Sequence, residues 1–413
     1  MKTELQVFHK SLIKYGKKQY KIPKTWFEAF SYLEDLLNDE ELYRDPISKK
    51  IILFFDELPW LDTPKSDFKA AFESFWNDYA STRNDIVLFV CGSATSWIIN
   101  NLFKDTGGFH NRVTQRIHIK PLTLKETEEL LKMNGIEYNK MQITECHMVF
   151  GGIPFYLNML SRKCSLSQNI DQLCFDENGQ LHNEFEELYS SLFNGYEDYI
   201  KIINLLAEKK SGMVRQEIID GGHFKSGTRI TTMLEELEQC NFIRKYDNAA
   251  KGKKDIYQLI DAFSMFAINF IGKKDIGSWV NFSNSSKHSS WSSNAFEIVC
   301  LNNIEAIKKA LRIDLIDSQI YSYYSDGDPR TQIDLVIDRK DETMNICEIK
   351  YSKNSFTIDA NYEKNLINKI ETFRKNTKTK KSLLLTMISF NGLTKGTHSG
   401  VIVNTLDCND LFS

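Results

Sequence analysis

Two short apolar runs, each ending abruptly in polar residues, constrain the fold of this chain more than any other feature. The first covers residues 51–55 (IILFF) and stops at two acidic residues, and the second covers residues 86–90 (IVLFV). An unbroken apolar run is typical of a strand buried on both faces of a parallel sheet. Residues 66–83, between the runs, have apolar side chains at helical spacing. Strand, helix and strand in this order predict a right-handed βαβ unit and therefore an α/β fold.

The acidic pair Asp56-Glu57 follows the first predicted strand directly. In nucleotide hydrolases such a pair forms the Walker B arrangement, in which the aspartate holds Mg²⁺ and the next acidic residue polarises the attacking water. Ligands of α/β sheets bind beyond the carboxyl ends of the strands, so the position suits this chemistry. An acidic residue that simply ends a strand is the alternative interpretation, and the pair alone does not decide between them.

From about residue 195 the pattern changes to short helices followed by a hairpin. The predicted elements are helices over 199–208, 214–219 and 227–240 and strands over 242–246 and 255–259. This order is that of a winged helix-turn-helix, and lysines in the hairpin turn suit contact with DNA phosphates. The glutamates along the third predicted helix equally suit a unit that packs only against protein.

The last region combines predicted strands with a second set of acidic residues. Asp334 lies in one predicted strand, and Glu348 and Lys350 lie in the next. Because side chains alternate along a strand, Glu348 and Lys350 are expected on the same face. Two carboxylates suit a hard cation such as Mg²⁺, and a nearby lysine can orient or help deprotonate the attacking water. Glu297, in the preceding predicted helix, is placed to complete the pocket, although a Glu-x-Lys triplet is also common in strands by chance.

Four short motifs connect these regions to a known family. They are FDELPWLD (55–62), FWN (75–77), CGSATSW (91–97) and GGIP (151–154). Together they resemble the prokaryotic AAA+-like proteins of the archaeal ATPase group, which are relatives of the STAND NTPases. The resemblance covers essentially the whole chain and implies a P-loop NTPase-type parallel sheet with a helical lid, a winged helix and a nuclease-like domain.

The resemblance also implies roles in nucleotide binding for five residues. Asp56 and Glu57 correspond to Walker B, with Asp56 as a metal ligand, and Ser93 corresponds to the polar sensor after the next strand. Either Arg112 or Arg116 corresponds to a phosphate-sensing arginine. ATP is the cofactor of a complete family member.

The last region resembles the PD-(D/E)XK nuclease superfamily through its helix glutamate and its D-xn-ExK pattern. This resemblance implies a restriction-endonuclease-like α/β domain in which Glu297, Asp334, Glu348 and Lys350 are catalytic. Asp334 and Glu348 would hold Mg²⁺.

The predicted organisation has five parts. They are an ATPase-type α/β domain without its P-loop (1–135), a helical lid (136–194), a winged helix (195–275), a linker rich in serine and asparagine (276–294) and a nuclease-like domain (295–413). At about 150 residues per domain, 413 residues suit two or three folded domains.

One departure from the family pattern concerns the phosphate-binding loop. No GxxxxGK[ST] sequence precedes the Walker B strand, and the glycine in that stretch, Gly16, lacks the required spacing. The loop supplies the backbone N–H groups and the lysine that hold the phosphates. We therefore expect the chain to begin inside an ATPase domain, after its first strand and loop, and to have impaired ATP binding.

Composition limits the partners of this protein. With 52 basic and 55 acidic residues the net charge is −3, which excludes a uniformly basic nucleic-acid-binding surface but not a local one. No run reaches the roughly 18–20 apolar residues of a membrane span, and no apolar stretch of a signal peptide follows Met1, so we expect a cytoplasmic protein without a membrane partner. The eight cysteines form no CxxC pair and are expected to be reduced.

Two functions follow as hypotheses. The first is Mg²⁺-dependent processing of nucleic acid, with DNA as the partner, in a protein that can form a homo-oligomer. The alternative is a non-catalytic regulator or scaffold, derived from such an ATPase, that binds DNA or protein.

The missing loop leads to a direct prediction. Calorimetric titration of the chain with Mg·ATP should show no saturable binding in the micromolar range, because most phosphate contacts are absent. Asp56→Asn is the control variant. Micromolar binding that disappears in this variant would contradict the prediction and place the nucleotide at Walker B.

Overall fold

The computed structural model describes residues 2–16, 19–92, 95–103, 107–109, 111–248, 254–273, 276–283, 285–325, 327 and 330–413. The chain divides into two compact units, Met1–His118 and Ile119–Ser413, which we call the first and the second unit. Among the helices of the described residues, none is long and apolar enough to cross a membrane.

The first unit contains a two-stranded parallel sheet. β1 (Ile51–Phe55) and β2 (Ile86–Val90) pair in parallel, as the sequence predicted. The helices are α1 (Lys2–Gly16), α2 (Trp26–Leu37), α3 (Phe68–Ser74) and α4 (Thr95–Ile98), with 3-10 turns at Leu58–Leu61 and Ala80–Thr82 and π-helical turns at Phe75–Tyr79 and Ile99–Phe103. The helix expected over residues 66–83 is therefore present, but its winding changes after α3.

The prediction that β1 is buried on both faces is wrong. Leu53 is 8% exposed, whereas its neighbours Ile52 and Phe54 are 59% and 61% exposed. An aromatic cluster from α2 and α3, which includes Phe30, packs with Leu53 in one core. The unbroken apolar run thus has one packed face and one exposed apolar face.

The second unit starts with a helical layer. Its helices are α5 (Leu124–Met133), α6 (Lys140–Phe150), α7 (Pro154–Leu157), α8 (Leu166–Ile170) and α9 (Glu184–Leu192), with a π-helical turn at Asp171–Phe175. A capping box starts α5. The Thr123 hydroxyl accepts a hydrogen bond from the Glu126 amide at 3.3 Å, and the Glu126 carboxylate accepts one from the Thr123 amide at 2.8 Å.

Residues 196–259, which we call the middle region, contain three helices and a small sheet. The elements are α10 (Tyr196–Glu208), β3 (Met213–Val214), α11 (Arg215–Gly222), α12 (Thr228–Gln239), β4 (Ile243–Asn248) and β5 (Lys254–Leu259). The strands form an antiparallel sheet in the order β3-β5-β4. The predicted hairpin lysines Lys251 and Lys253 lie outside the described residues.

The described part of segment 276–294, predicted as a linker, contains one short helix and the start of another, and it contributes to the core. Four helices follow the middle region: α13 (Ala262–Phe270), α14 (Trp279–Phe282), α15 (Ser286–Asn302) and α16 (Ile304–Ala310). Trp279 is fully buried and Trp291 is 6% exposed, and both rings pack edge-on against Phe266 and Phe270. The serines suggested a flexible segment, but the tryptophans between them have enough apolar surface to fix it in place.

A five-stranded mixed sheet forms the end of the chain. Its strands are β6 (Ser318–Ser325), β7 (Thr331–Arg339), β8 (Thr343–Lys350), β9 (Ser382–Ser389) and β10 (Asn404–Leu406), and the remaining helices are α17 (Ala360–Thr377) and α18 (Cys408–Leu411), with a 3-10 turn at Ser399–Val401. The order is β10-β9-β8-β7-β6, antiparallel from β6 to β8 and parallel from β8 to β10.

Helices cover this sheet on both faces because its central strands are apolar on both sides. Leu335 and Cys347 belong to the same core as Phe296 of α15. Val336 and Ile346 belong to the core that contains Leu366 of α17. The sheet is therefore the middle of three layers.

A β-bulge lies in β7 at Asp334. Tyr321 of β6 pairs with Val336, but Tyr323 pairs with Ile333, so one residue of β6 faces two residues of β7. The hydroxyl of that residue, Ser322, donates to the Asp334 carbonyl at 2.7 Å. Bulges change the direction in which a side chain points, and they are frequent next to active sites.

Replacement of a core tryptophan tests whether α14 is part of the folded core. Trp279→Ala should lower the free energy of unfolding of the second unit by about 3–5 kcal/mol, because it leaves a large cavity among aromatic rings. Val280→Ala, on the exposed side of the same helix, should change it by no more than about 0.5 kcal/mol. Urea unfolding measures both, and equal small effects would favour a linker.

Candidate active site

Asp334 lies where β7 and β8 stop pairing. The described ladder between these strands ends at the pair Leu335 and Cys347, while β8 continues to pair with β9 as far as Lys350. Beyond this point the Asp334 carboxylate accepts the Ile349 amide hydrogen bond through Oδ2 at 3.1 Å. The side chain thus replaces a main-chain acceptor, and its position is fixed between the two strands.

Glu348 is the most buried acidic group of the site, at 4% exposure. Its Oε1 accepts a hydrogen bond from the Tyr362 hydroxyl at 2.5 Å and lies 2.9 Å from Lys350 Nζ, and its Oε2 lies 2.6 Å from Lys369 Nζ. Burial opposes its ionisation, but Lys350, Lys369 and the hydroxyl outweigh burial and lower the pKa of Glu348. The ion pair confirms that Glu348 and Lys350 share a face of β8.

Glu297 reaches the site from α15. Its Oε1 forms an ion pair with Lys210 Nζ at 2.7 Å. Burial, and next the charge of Asp334, raise the pKa of Glu297 to about 7, against the opposing effect of Lys210 and Lys350. Burial and the charge of Glu348 likewise raise the pKa of Asp334. The ring of Phe296, the residue before Glu297, packs against the ring of Tyr351, the residue after Lys350, with centroids 5.2 Å apart, which places α15 at this end of β8.

The structure thus brings together the four residues predicted for the last region, Glu297, Asp334, Glu348 and Lys350. We call them the carboxylate–lysine cluster. Two helices, α15 and α17, and the ends of two strands position it. Its catalytic role stays a prediction.

The capacity of the cluster for a metal ion depends on which oxygens are engaged. No group of three or more His, Cys, Asp and Glu side chains in the described part of the chain is arranged to hold a metal ion. Both oxygens of Glu348 are bound to donors, whereas the described hydrogen bonds of Asp334 and Glu297 engage only Oδ2 and Oε1. Oδ1 of Asp334 and Oε2 of Glu297 are therefore the oxygens that suit a hard cation.

Three further residues contact the cluster, and the sequence did not indicate their place. Tyr362 and Lys369, both on α17, bind Glu348. Lys210 comes from the middle region, 87 residues before its partner Glu297. Their position on a helix that faces β8 could have indicated Tyr362 and Lys369, whereas no local sequence pattern indicated Lys210.

The predicted nucleotide-binding residues belong to the first unit. Asp56 is exposed, and its Oδ1 accepts a hydrogen bond from the Cys91 thiol at 2.9 Å. Glu57 adopts a left-handed backbone conformation, with φ of +48°. These residues lie at the carboxyl ends of the paired strands β1 and β2, the edge at which ligands of α/β sheets bind.

The other three predicted residues are farther along the chain. Ser93 lies outside the described residues. Arg112 and Arg116 are both exposed, and the Arg116 guanidinium lies over the ring of Phe103 at 4.0 Å from its centroid. A nucleotide-sensing role for either arginine stays a prediction.

Comparisons with known proteins leave the function open. No family model matches the sequence, and no curated protein matches it. Among solved structures the chain is similar to the Walker-type ATPase PABY2304 of Pyrococcus abyssi, with a TM-score of 0.43, 17% identity, and coverage of 63% of this chain and 75% of that chain. A likeness of this size decides neither fold nor activity.

The raised pKa of Glu297 predicts a pH-dependent stability. The folded protein holds the proton up to about pH 7, whereas the unfolded chain releases it near pH 4.5, the ordinary pKa of a glutamate. Wild-type stability should therefore fall between these values, by at most about 1.4 kcal/mol per pH unit. Glu297→Gln removes this contribution.

Urea unfolding at about pH 5 and about pH 8, with chelator present, measures the effect. The wild type should lose stability relative to the Glu297→Gln variant as the pH rises. The variant also leaves Lys210 without its partner, but that loss is common to both conditions. A stability difference that does not change with pH would contradict the raised pKa.

Proposed function

We propose that the protein hydrolyses phosphodiester bonds of nucleic acid, with a Mg²⁺-type cation, at the carboxylate–lysine cluster. One observation supports this proposal above all: Asp334, fixed at the end of the β7–β8 ladder, lies beside an ion-paired Glu348 and Lys350. Isolated carboxylates in strands would be solvated, but these are buried within a layered fold. Burial of charged groups is costly unless they are paired. Buried ionisable groups with shifted pKa values are frequent at functional sites.

Two carboxylates of the cluster have an oxygen outside the described hydrogen bonds, and Mg²⁺ is usually bound through one or two carboxylates together with water molecules. Asp334 through Oδ1 and Glu297 through Oε2 are the candidate ligands, and Glu348 can join them by exchanging a lysine. A bound Mg²⁺ would supply charge for the phosphate and lower the pKa of a water molecule.

Lys350 acts as a cation in this proposal and not as a base. Burial disfavours its charged form, but the Glu348 carboxylate outweighs burial and raises the pKa of Lys350. The side chain of Lys350 is also partly exposed, at 32%. It can therefore donate hydrogen bonds to a phosphate oxygen or to the attacking water while it remains protonated.

Basic side chains and the middle region support nucleic acid as the substrate class. The exposed basic residues on and after α17 are Lys364, Arg374, Lys375, Lys378 and Lys380. The order of the middle region, a helix, a short strand, two helices and two strands, is that of a winged helix, a common DNA-binding unit. A local basic face of this kind is compatible with the slightly negative net charge.

Cleavage assays test the proposal. Single- and double-stranded DNA, incubated with Mg²⁺ or Mn²⁺, should be cut by the wild type. Asp334→Asn and Glu348→Gln should each reduce the rate by at least about a hundredfold, because the cation and Lys350 lose their positions. Glu371→Gln, at an exposed carboxylate of α17, is the matched control and should leave the rate unchanged.

The same assay separates the alternative function. Binding of DNA without cleavage, identical in the wild type and in Asp334→Asn, would reject the hydrolase and favour the non-catalytic regulator. Equal cleavage by both proteins would point to a contaminating nuclease and would also reject this site.

A further inference from the structure

Lys210 enters the carboxylate–lysine cluster from a different region of the chain. It lies in the turn between α10 and β3, and its ammonium is 2.7 Å from Glu297 Oε1. Glu297 is 14% exposed and Lys210 is 37% exposed. The lysine thus extends from a turn to a carboxylate that is largely buried.

The turn that holds Lys210 has little freedom. Gly212 has a left-handed conformation, with φ of +75°, and a Cβ there would lie 2.5 Å from the Tyr257 carbonyl oxygen. Its amide donates to the Lys209 carbonyl at 2.7 Å, which closes the turn. The Ser211 carbonyl accepts a hydrogen bond from the Tyr246 hydroxyl at 2.8 Å. The backbone therefore fixes where the side chain of Lys210 starts.

A hydrogen-bond chain connects this turn to the bulge at Asp334. The Lys210 carbonyl accepts from Gln258 Nε2 at 2.8 Å, and Gln258 Oε1 accepts from Arg244 Nε at 2.7 Å. Arg244 Nη2 donates to Ser322 Oγ at 2.6 Å, and Ser322 Oγ donates to the Asp334 carbonyl at 2.7 Å. The middle region thus contacts the carboxylate–lysine cluster at both Glu297 and Asp334.

We propose that Lys210 is an internal cation that competes with a divalent metal ion for the Glu297 carboxylate. An ammonium in contact with the carboxylate supplies the positive charge that the metal would supply, and it repels a metal bound to the same group. The proposal rests on the metal site of the proposed function. By linkage, a ligand of the middle region that withdraws Lys210 strengthens metal binding, and the metal strengthens binding of that ligand equally.

Metal affinity is the measurement that tests this competition. Mn²⁺ suits oxygen ligands as Mg²⁺ does, and the spin resonance signal of the free ion reports its binding to the full chain. Lys210→Gln removes the charge but retains a hydrogen-bond donor for Glu297, and it should bind Mn²⁺ at least about tenfold more tightly than the wild type. Lys209→Gln is the matched control, since Lys209 pairs with Glu217 at 2.8 Å, and its affinity should equal that of the wild type.

Further variants separate the possible outcomes. Asp334→Asn should abolish Mn²⁺ binding, which places the ion in the cluster. Affinity in Lys210→Gln that is unchanged or weaker, while Asp334→Asn abolishes binding, would overturn the competition and leave the metal site standing. No binding by the wild type or by Lys210→Gln would overturn both.

A second measurement distinguishes weaker metal binding from loss of the fold. Circular dichroism checks each variant, and Lys210→Met replaces Lys210→Gln if that variant unfolds. Mn²⁺ should raise the urea midpoint of the neutral variant more than that of the wild type. Equal increases in both proteins would overturn the competition.

Discussion

The hydrogen bond from the Ile349 amide to the Asp334 carboxylate is the interaction on which the candidate site depends. If β7 and β8 continued to pair, their polar side chains would point to opposite faces of the sheet or be buried under the helices. Here a bulge in β7 and this side-chain acceptor end the ladder, so the backbone amide is satisfied while the strands stop pairing. The Asp334 carboxylate is buried, yet it lies at the end of the β7–β8 ladder, where side chains from other elements can approach it.

Charge balance explains why acidic groups can be buried at this point. Glu297, Asp334 and Glu348 are met by Lys210, Lys350 and Lys369, which come from a turn, a strand and a helix. Removing one partner from such a set leaves a buried charge uncompensated. The free-energy cost of that charge exceeds the stabilisation that the ion pair contributed. The cluster is therefore sensitive to any change in the packing of α15, α17 or the middle region.

Much of the last region could be predicted from its sequence. The predicted strand that contains Asp334 and the next one, which contains Glu348 and Lys350, are observed as β7 and β8, because apolar runs between polar turns are a local signal. Alternation along β8 also placed Glu348 and Lys350 together. The bulge could not be predicted, since it depends on how β6 pairs with β7. The serine-rich segment was predicted as a linker for a related reason: the helices that bury its tryptophans are distant in sequence.

Local pattern and chemistry were sufficient to predict the strands, the alternation of their side chains and the residue types able to bind a cation. The three-dimensional packing was needed to show that β1 is packed on one face, that Tyr362 and Lys369 bind Glu348, and that Lys210 contacts Glu297. Contacts between residues far apart in the chain set the local charge and the burial of each group. A short stretch of sequence does not contain these contacts.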